Sequence, residues 1–376
     1  MKSWAGKSSG KPSLVRRVHE WLGSATRRSH SAASRALVAR KEADVLAADE
    51  RLFEAIDVLS AANRLQRDAE NEVLLVRLRH RAFARLRPSR PTTPWPPTVA
   101  DPFPDVTQRP PEVVCEQLTP ELVGGALLHH GCLLVRGLIP ESQVASLIDD
   151  TDRAFEARMA HSSGAPVSET SPWFVPLDPD PGHPRLDDTL RQFHIEAGAV
   201  LAAESPRTLF ELIDAYEQNR LIETIRGYLG ERPAISLNKC VLRHTAFRES
   251  TANPTWHQNG AFLGSDVRAI DAWLSLSHCG GDTNAPGLEI LPRRMHEILE
   301  TGQGFQNAVT RAQVMAAAAN TPIVRPSFAP GDGLVFDERF LHRTGVVLGM
   351  TAERRAIETW FFAPSSFPRT YIPLAL

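Results

Sequence analysis

Nine prolines stand between residues 88 and 111: Pro88, Pro91, Pro94, Pro96, Pro97, Pro102, Pro104, Pro110 and Pro111. Proline has no amide hydrogen to donate and holds φ near about −65°, so a stretch this dense is neither helix nor central strand. It reads as a semi-rigid linker or a strap laid over a surface. The segments on its two sides must therefore fold by different rules. The chain divides into residues 1–87, 88–111 and 112–376.

Before the strap, residues 24–87 contain neither Gly nor Pro, so nothing there forces a helix to stop. Val38, Val45, Leu52 and Leu59 recur every seven residues, and Ala48, Ala55, Ala62 and Ala69 stand three positions behind them, continued by Val76 and Phe83. A sustained heptad is the seam of a coiled coil or of a helical hairpin. Alanine on one side of the seam lets backbones approach closely while burying little surface. The spacing predicts a long helical arm, paired either with itself or, as a homodimer, with a second subunit. Residues 1–41 carry Glu20 as their single acid among many Lys and Arg. Leu14, Val15, Val18, Trp21 and Leu22 fall on one helical face there. This segment reads as a solvated basic tail, with a transit peptide or a face resting on a membrane or partner as the other readings.

After the strap the period changes. Thr119 caps a short helix that Pro120 opens, and Gly131–Gly137 frames a buried strand. Residues from Pro140 to His161 read as helix and 162–185 as loop. Two further helices are expected at about 195–203 and 206–229, then a strand from Ala234 to Leu242 and closely spaced short strands. Long helices first and clustered strands afterwards predict an α+β chain with a β-sandwich or barrel core. The formal charge of −2 gives no reason to expect nucleic acid. Cys115, Cys132, Cys240 and Cys279 stand too far apart for a zinc knuckle or a disulfide framework. No apolar run approaches the roughly 20 residues of a membrane span, and the first 30 residues lack a signal-peptide core. A cytoplasmic protein is expected.

The chemistry points to Trp256–Phe262. Alternation along a strand would put His257 and Asn259 on one face, and His342 comes soon enough after the strand Leu334–Phe336 for the chain to return beside them. Two histidines and a carboxylate with open positions form the ligand set of non-haem Fe(II) oxygenases. Here Asn259 stands where the carboxylate belongs. Arg354 and Arg355 open the strand that runs to Phe362, and an arginine facing into a barrel wants a carboxylate for its planar fork. Which of the two faces inward depends on register. His129, His130, His244, His278 and His296 show no ligand spacing, and no phosphate-binding loop or nucleophile elbow is present.

Taken as an ordered set, Trp256-His257-Gln258 with Gly260-Ala261, Gly287-Leu288-Glu289-Ile290-Leu291-Pro292, Pro330-Gly331-Asp332, His342 and Arg354-Arg355-Ala356-Ile357 resemble the phytanoyl-CoA dioxygenase family. The resemblance runs from about Leu118 to Pro364. It implies a double-stranded β-helix, the jelly-roll or cupin-like core, with flanking helices and the helical arm in front. It also implies an Fe(II)- and 2-oxoglutarate-dependent dioxygenase that hydroxylates a small molecule with O2. Carried over by position, His257, Asn259 and His342 would surround iron. Arg354, or Arg355 in the other register, would clamp the distal carboxylate of 2-oxoglutarate, and Arg243 would stand near a co-substrate contact.

Three departures bear on that reading. The family writes Asp where this chain has Asn259, and Gly-Ser-His where it has Arg293-Arg294-Met295-His296; the arm and strap have no counterpart in the shared motifs. An amide offers iron a neutral oxygen instead of a charge. Either that oxygen ligates, or Asp266, Asp282 or Asp337 supplies a carboxylate, or the barrel is a catalytically silent one that binds a metabolite or serves as a scaffold.

Overall fold

The computed structural model describes residues 32–86, 94–184, 186, 188–245, 254–264, 266–301 and 308–376. The apolar face of the basic tail, Leu14 to Leu22, lies outside these residues. Contacts divide the chain into Met1–Arg79 and His80–Leu376, a division that falls ahead of the proline strap. The described part of the strap belongs to the second unit, where Nε2 of His130 lies 2.9 Å from Oδ1 of Asp101.

Among the described residues of the first unit there are three helices in place of one continuous arm: α1 (Ala32–Ala48), α2 (Leu52–Leu65) and α3 (Ala69–Ala82), the last running past the unit's end. Polar residues make both breaks. At the first, Glu50 takes the left-handed conformation at φ 61° and Arg51 donates its amide to Leu46 at 2.8 Å. At the second, Gln66 is extended, and Asp68 accepts the amide of Asn71 at 3.0 Å as the cap of α3. α1 and α2 pack as a hairpin. Leu52, Ala55, Leu59 and Ala62 of the heptad are buried, but Val38 and Val45 are 41% and 62% exposed. The buried stripe of α1 is Ala36, Ala39, Ala43 and Ala47 with Leu46, one helical face displaced from the heptad.

In the second unit, α4 (Pro120–His130) is capped by Thr119, which accepts the Leu122 amide at 3.2 Å, and ends at Gly131 with φ 85°. Next come helices α5 (Glu141–Ser162), α6 (Asp188–Glu196), α7 (Pro206–Gln218), α8 (Leu221–Leu229) and α9 (Arg311–Ala318). The helix expected over 195–203 ends early because Gly198 turns at φ 67°, where a Cβ would lie 2.4 Å from the His244 carbonyl oxygen. The one expected over 206–229 breaks at Arg220, φ 61°.

The strands are β1 (Glu112–Val114), β2 (Cys132–Arg136), β3 (Ala199–Leu201), β4 (Ala234–Thr245), β5 (Ala269–Ser275), β6 (Cys279–Gly280), β7 (Gly287–Ile290), β8 (Ser327–Phe328), β9 (Gly333–Phe336), β10 (His342–Gly345), β11 (Arg354–Phe362) and β12 (Pro373–Ala375). Eight form one sheet in the order β1-β2-β9-β5-β11-β4-β12, with β3 also on β4; only β1 and β2 pair in parallel. β7 pairs with β10 and β6 with β8, both antiparallel. Isolated bridges add Trp256, His257, Val309 and Val324 to the β7–β10 pair. The result is a mixed α/β unit with a mostly antiparallel sheet.

Alternation on β11 assigns the two faces of the large sheet. Arg355, Thr359 and Phe361 face helices: Nε of Arg355 lies 2.8 Å from Asp152 on α5, and the Tyr216 hydroxyl of α7 is 3.2 Å from Oγ1 of Thr359. Ala356, Trp360 and Phe362 face the other way, in one apolar cluster with Trp273, Leu288, Ile290, Phe328, Phe336 and Phe340. The small strand pairs therefore share a core with the face opposite the helices. Each such large buried side chain is worth about 1.5–3 kcal/mol relative to exposure.

Candidate functional site

His257 and His342 come together as a two-residue antiparallel bridge. The His257 amide donates to the His342 carbonyl at 3.0 Å, the return bond is 3.2 Å, and the ring centroids are 4.4 Å apart. Nδ1 of His257 lies 3.2 Å from the Thr255 carbonyl, and Nδ1 of His342 lies 3.1 Å from that of Phe340. A carbonyl only accepts, so each Nδ1 carries the proton and each Nε2 keeps its lone pair. His342 sits among Phe336 and Phe340, with centroids 4.8 and 5.8 Å away. Burial, and then the charge of His257, push its pKa down to about 3. Burial lowers His257 as well. Both rings are thus held neutral, the form that ligates metal.

Asn259 does not lie on the strand. Pairing ends at His257, and Asn259 is in the right-handed helical region (φ −65°, ψ −23°) as the cap of the single turn Gly260–Leu263. Two neighbours make that turn. The buried Gln258 donates to the carbonyls of Glu297 at 3.0 Å and Arg339 at 2.6 Å and accepts from the Leu299 amide at 2.8 Å. Gly260 donates to the Glu338 carbonyl at 2.7 Å, and a Cβ there would lie 2.4 Å from Cδ1 of Ile298. The Asn259 side chain is buried, and its carboxamide has no hydrogen-bond partner among the described residues.

Among the described residues, no three His, Cys, Asp or Glu side chains form a group that could hold a metal ion. Asp337 is buried in an ion pair with Arg294, and its Oδ1 accepts the Arg339 amide at 3.0 Å. Asp266 and Asp282 are exposed. Two neutral imidazoles side by side suit a divalent cation, but among the described residues no carboxylate completes them into a metal-holding group, one short of the facial triad.

The arginines separate cleanly. Arg355 faces α5 and is bound to Asp152. Arg354 points into the sheet's other face and is only 3% exposed. Its Nη1 donates to the Gly287 carbonyl at 2.9 Å and its Nη2 to Thr245 Oγ1 at 3.2 Å; Nε is buried without a partner among the described residues. The guanidinium lies 5.5 Å from the Trp273 ring, and burial pulls its pKa down to about 10. Arg243 is already taken: Nη2 and Nε lie 2.9 and 3.3 Å from Oε2 of Glu358. The sequence reading did not single out Glu358, Lys239 or Asp271. Alternation from Arg354 through Ala356 to Glu358 was the signal available. Burial disfavours the Glu358 carboxylate, but Arg243 and Lys239 outweigh it and hold the pKa at about 2.

Two of the other histidines are engaged elsewhere: His129 lies 2.8 Å from the Val99 carbonyl, and His244 lies 2.6 Å from the carboxylate of Glu353. His296 lines a separate cleft of about 640 Å³ walled by Trp95, Tyr228, Arg268, Arg294, Asp337 and Glu338. Burial, and then the Asp337 carboxylate next to it, raise the Glu338 pKa to about 7. Between the ordinary carboxyl range and pH 7 the unfolded chain has released a proton that the folded one still holds, so this group costs stability as pH rises. Glu338→Gln is expected to raise the melting temperature at pH 8, by an amount equivalent to about 1–3 kcal/mol, and to leave it unchanged at pH 4. Thermal melts at the two pH values check this.

No protein-family model matches the chain. No curated protein matches it. Solved structures do. The epimerase SnoN in complex with Fe3+, alpha ketoglutarate and nogalamycin RO is 16% identical, over 62% of this chain and 79% of SnoN, with a TM-score of 0.41. EctD from S. alaskensis with 2-oxoglutarate and 5-hydroxyectoine is 15% identical, over 62% of this chain and 72% of EctD, TM-score 0.43. EvdO2 from Micromonospora carbonacea var. aurantiaca is 20% identical, over 66% of this chain and 89% of EvdO2, TM-score 0.40.

Proposed function

We propose that residues 112–376 form a double-stranded β-helix of the phytanoyl-CoA dioxygenase kind, acting on a small molecule with Fe(II), 2-oxoglutarate and O2. Residues 1–87 would be its helical arm and 88–111 its strap. Arg354 carries the reading. A guanidinium this buried, with no partner for its Nε and no carboxylate to meet it among the described residues, costs several kcal/mol unless an anion completes it. Its planar fork suits a carboxylate, and its Nη1 bonds the carbonyl of Gly287, the first residue of β7, the strand whose pairing partner β10 begins with His342.

His257, Asn259 and His342 would hold the metal. The backbone bonds at both Nδ1 atoms fix the imidazole planes, and Phe336 and Phe340 keep water from His342. Bound iron would supply oxygen activation coupled to the oxidation of 2-oxoglutarate to succinate and CO2. Arg354 would fix the far end of the co-substrate, so that its keto acid end meets the histidines in one orientation. Arg355 would have no part in this, and Arg243 would orient Glu358 instead of the co-substrate. A homodimer through the arm would use the exposed Leu37, Val38 and Val45 of α1.

Anaerobic addition of Fe(II) and 2-oxoglutarate is expected to produce a weak visible charge-transfer band, and oxygen should then yield succinate. Loss of both signals removes the oxygenase reading. The second reading, a silent barrel that binds a metabolite, is favoured by one observation: the described residues place no carboxylate with the two histidines. It expects 2-oxoglutarate or another carboxylate to bind without any band.

A further inference from the structure

The inner face of β4 carries a cation that this chemistry leaves unused. Lys239 precedes Arg243 by four residues and so shares its face. Its Nζ lies 4.0 Å from the centroid of Phe262 and 5.9 Å from that of Tyr371. Among the described residues it has neither a hydrogen-bond acceptor nor an ion-pair partner. Phe262 is three residues beyond Asn259, on the same helical turn. The ammonium therefore lies beside the histidine motif, boxed by two aromatic rings that are themselves only partly buried.

The local charge count leaves it unbalanced. Glu358 is the nearby ionised carboxylate, and Arg243 already grips it at 2.9 Å. Asp271, on the same inner face of β5, is driven toward its neutral acid by burial and by Glu358 next to it, and its Oδ1 is buried without a partner. The carboxylate nearest to both cations is thus held by Arg243 and not by Lys239. Burial lowers the pKa of Lys239 against the opposing pull of the Glu358 charge, and among the described residues no carboxylate pairs with the ammonium directly. Cation–π contact with Phe262 offsets part of that shortage, but a ring face supplies less than an ion pair does.

We infer that Lys239 recognises a carboxylate on the primary substrate, with Phe262 and Tyr371 seating the apolar carbon skeleton attached to it. The substrate class is then an acidic small molecule with an apolar body. This rests on reading His257, His342 and Arg354 as the oxygenase site, and it assigns the second anion position of that site.

The test uses the full chain with 2-oxoglutarate at saturation, so that Arg354 is occupied, and matched probes that differ only in charge: phenylacetate and phenylacetamide. Calorimetric titration of the wild type should show phenylacetate binding about tenfold more tightly than the amide. Lys239→Met should erase that preference, and Lys239→Arg should retain it. Lys239→Gln serves as the uncharged variant if the Met protein melts lower than wild type. Equal binding of acid and amide in the wild type overturns the proposal, as does a preference that survives Lys239→Met. A preference lost in Arg354→Gln but kept in Lys239→Met also overturns it, by placing the acid at Arg354. A wild type that prefers the acid through Lys239 but gives no charge-transfer band with Fe(II) keeps this site and removes the oxygenase reading.

Discussion

Arg354→Gln is expected to weaken 2-oxoglutarate binding by at least about 30-fold, the lower end of the about 2–5 kcal/mol lost on truncating one partner of a buried charge pair. Folding should move the other way. In the free protein the guanidinium is a buried cation whose Nε has no partner and which has no counter-ion among the described residues. Its folded pKa of about 10 lies below the ordinary arginine value, so the charged form is disfavoured in the folded state throughout the neutral range. That cost fades only as pH rises toward and above 10, where the folded protein begins to lose the proton first. Replacing such a charge with a neutral side chain of similar length is often neutral or stabilising. The expected signature is thus a large loss of co-substrate affinity with an unchanged or higher melting temperature at pH 7. A purely structural Arg354 would give the reverse, a lower melting temperature from the lost bonds to Gly287 and Thr245 with affinity intact. Arg355→Gln is the built-in control, because its partner Asp152 lies on α5 on the opposite face.

The sequence carried much of the second unit because local rules and burial agree there. The Thr119 cap, the glycine-framed β2, the long α5 and the turn before β9 form where the residues say they should. The first unit was less legible. Its breaks use Glu50 in a left-handed conformation and Asp68 as a cap, neither of which a search for Gly and Pro can find. Its buried stripe is alanine, so the larger Val38 and Val45 suggested a seam that the hairpin places outside. Near the histidines the limit was different. Strand alternation names the face a residue occupies only while the strand lasts, and here it ends at His257. The tight contact of Gly260 with Ile298 and Glu338, which sends Asn259 into a helical turn, joins residues about 40 and 80 positions apart. Arg354 and Arg355 stayed indistinguishable for the same reason, since pairing with β4 and β5 sets the register. Glu358 was readable once Arg354 is known to face inward.

Asn259→Asp should then be the most informative single substitution. A carboxylate adds the charge that two neutral imidazoles and an amide lack. Changes one shell further out already move metal affinity by about 10–100-fold, so Fe(II) affinity should rise at least about 100-fold, measured by anaerobic titration with Co(II) as a spectroscopic stand-in. Without metal the same change should cost stability. The position is buried, and its amide has no hydrogen-bond partner among the described residues to pass on to a carboxylate. Burial raises a carboxyl pKa, so the metal-free variant should lose stability as pH rises through the neutral range, and added metal should restore it. Stability that depends jointly on metal and pH in the variant, beyond the pH dependence that Glu338 already gives the wild type and with a larger rescue by metal than in the wild type, would mark position 259 as part of the metal site. Unchanged metal affinity would remove Asn259 from that site and leave His257 and His342 as a pair without a third protein donor. Wild-type protein that already turns over 2-oxoglutarate would instead make the amide oxygen a working ligand, and the Asp variant would then be expected to hold iron more tightly at the same two histidines.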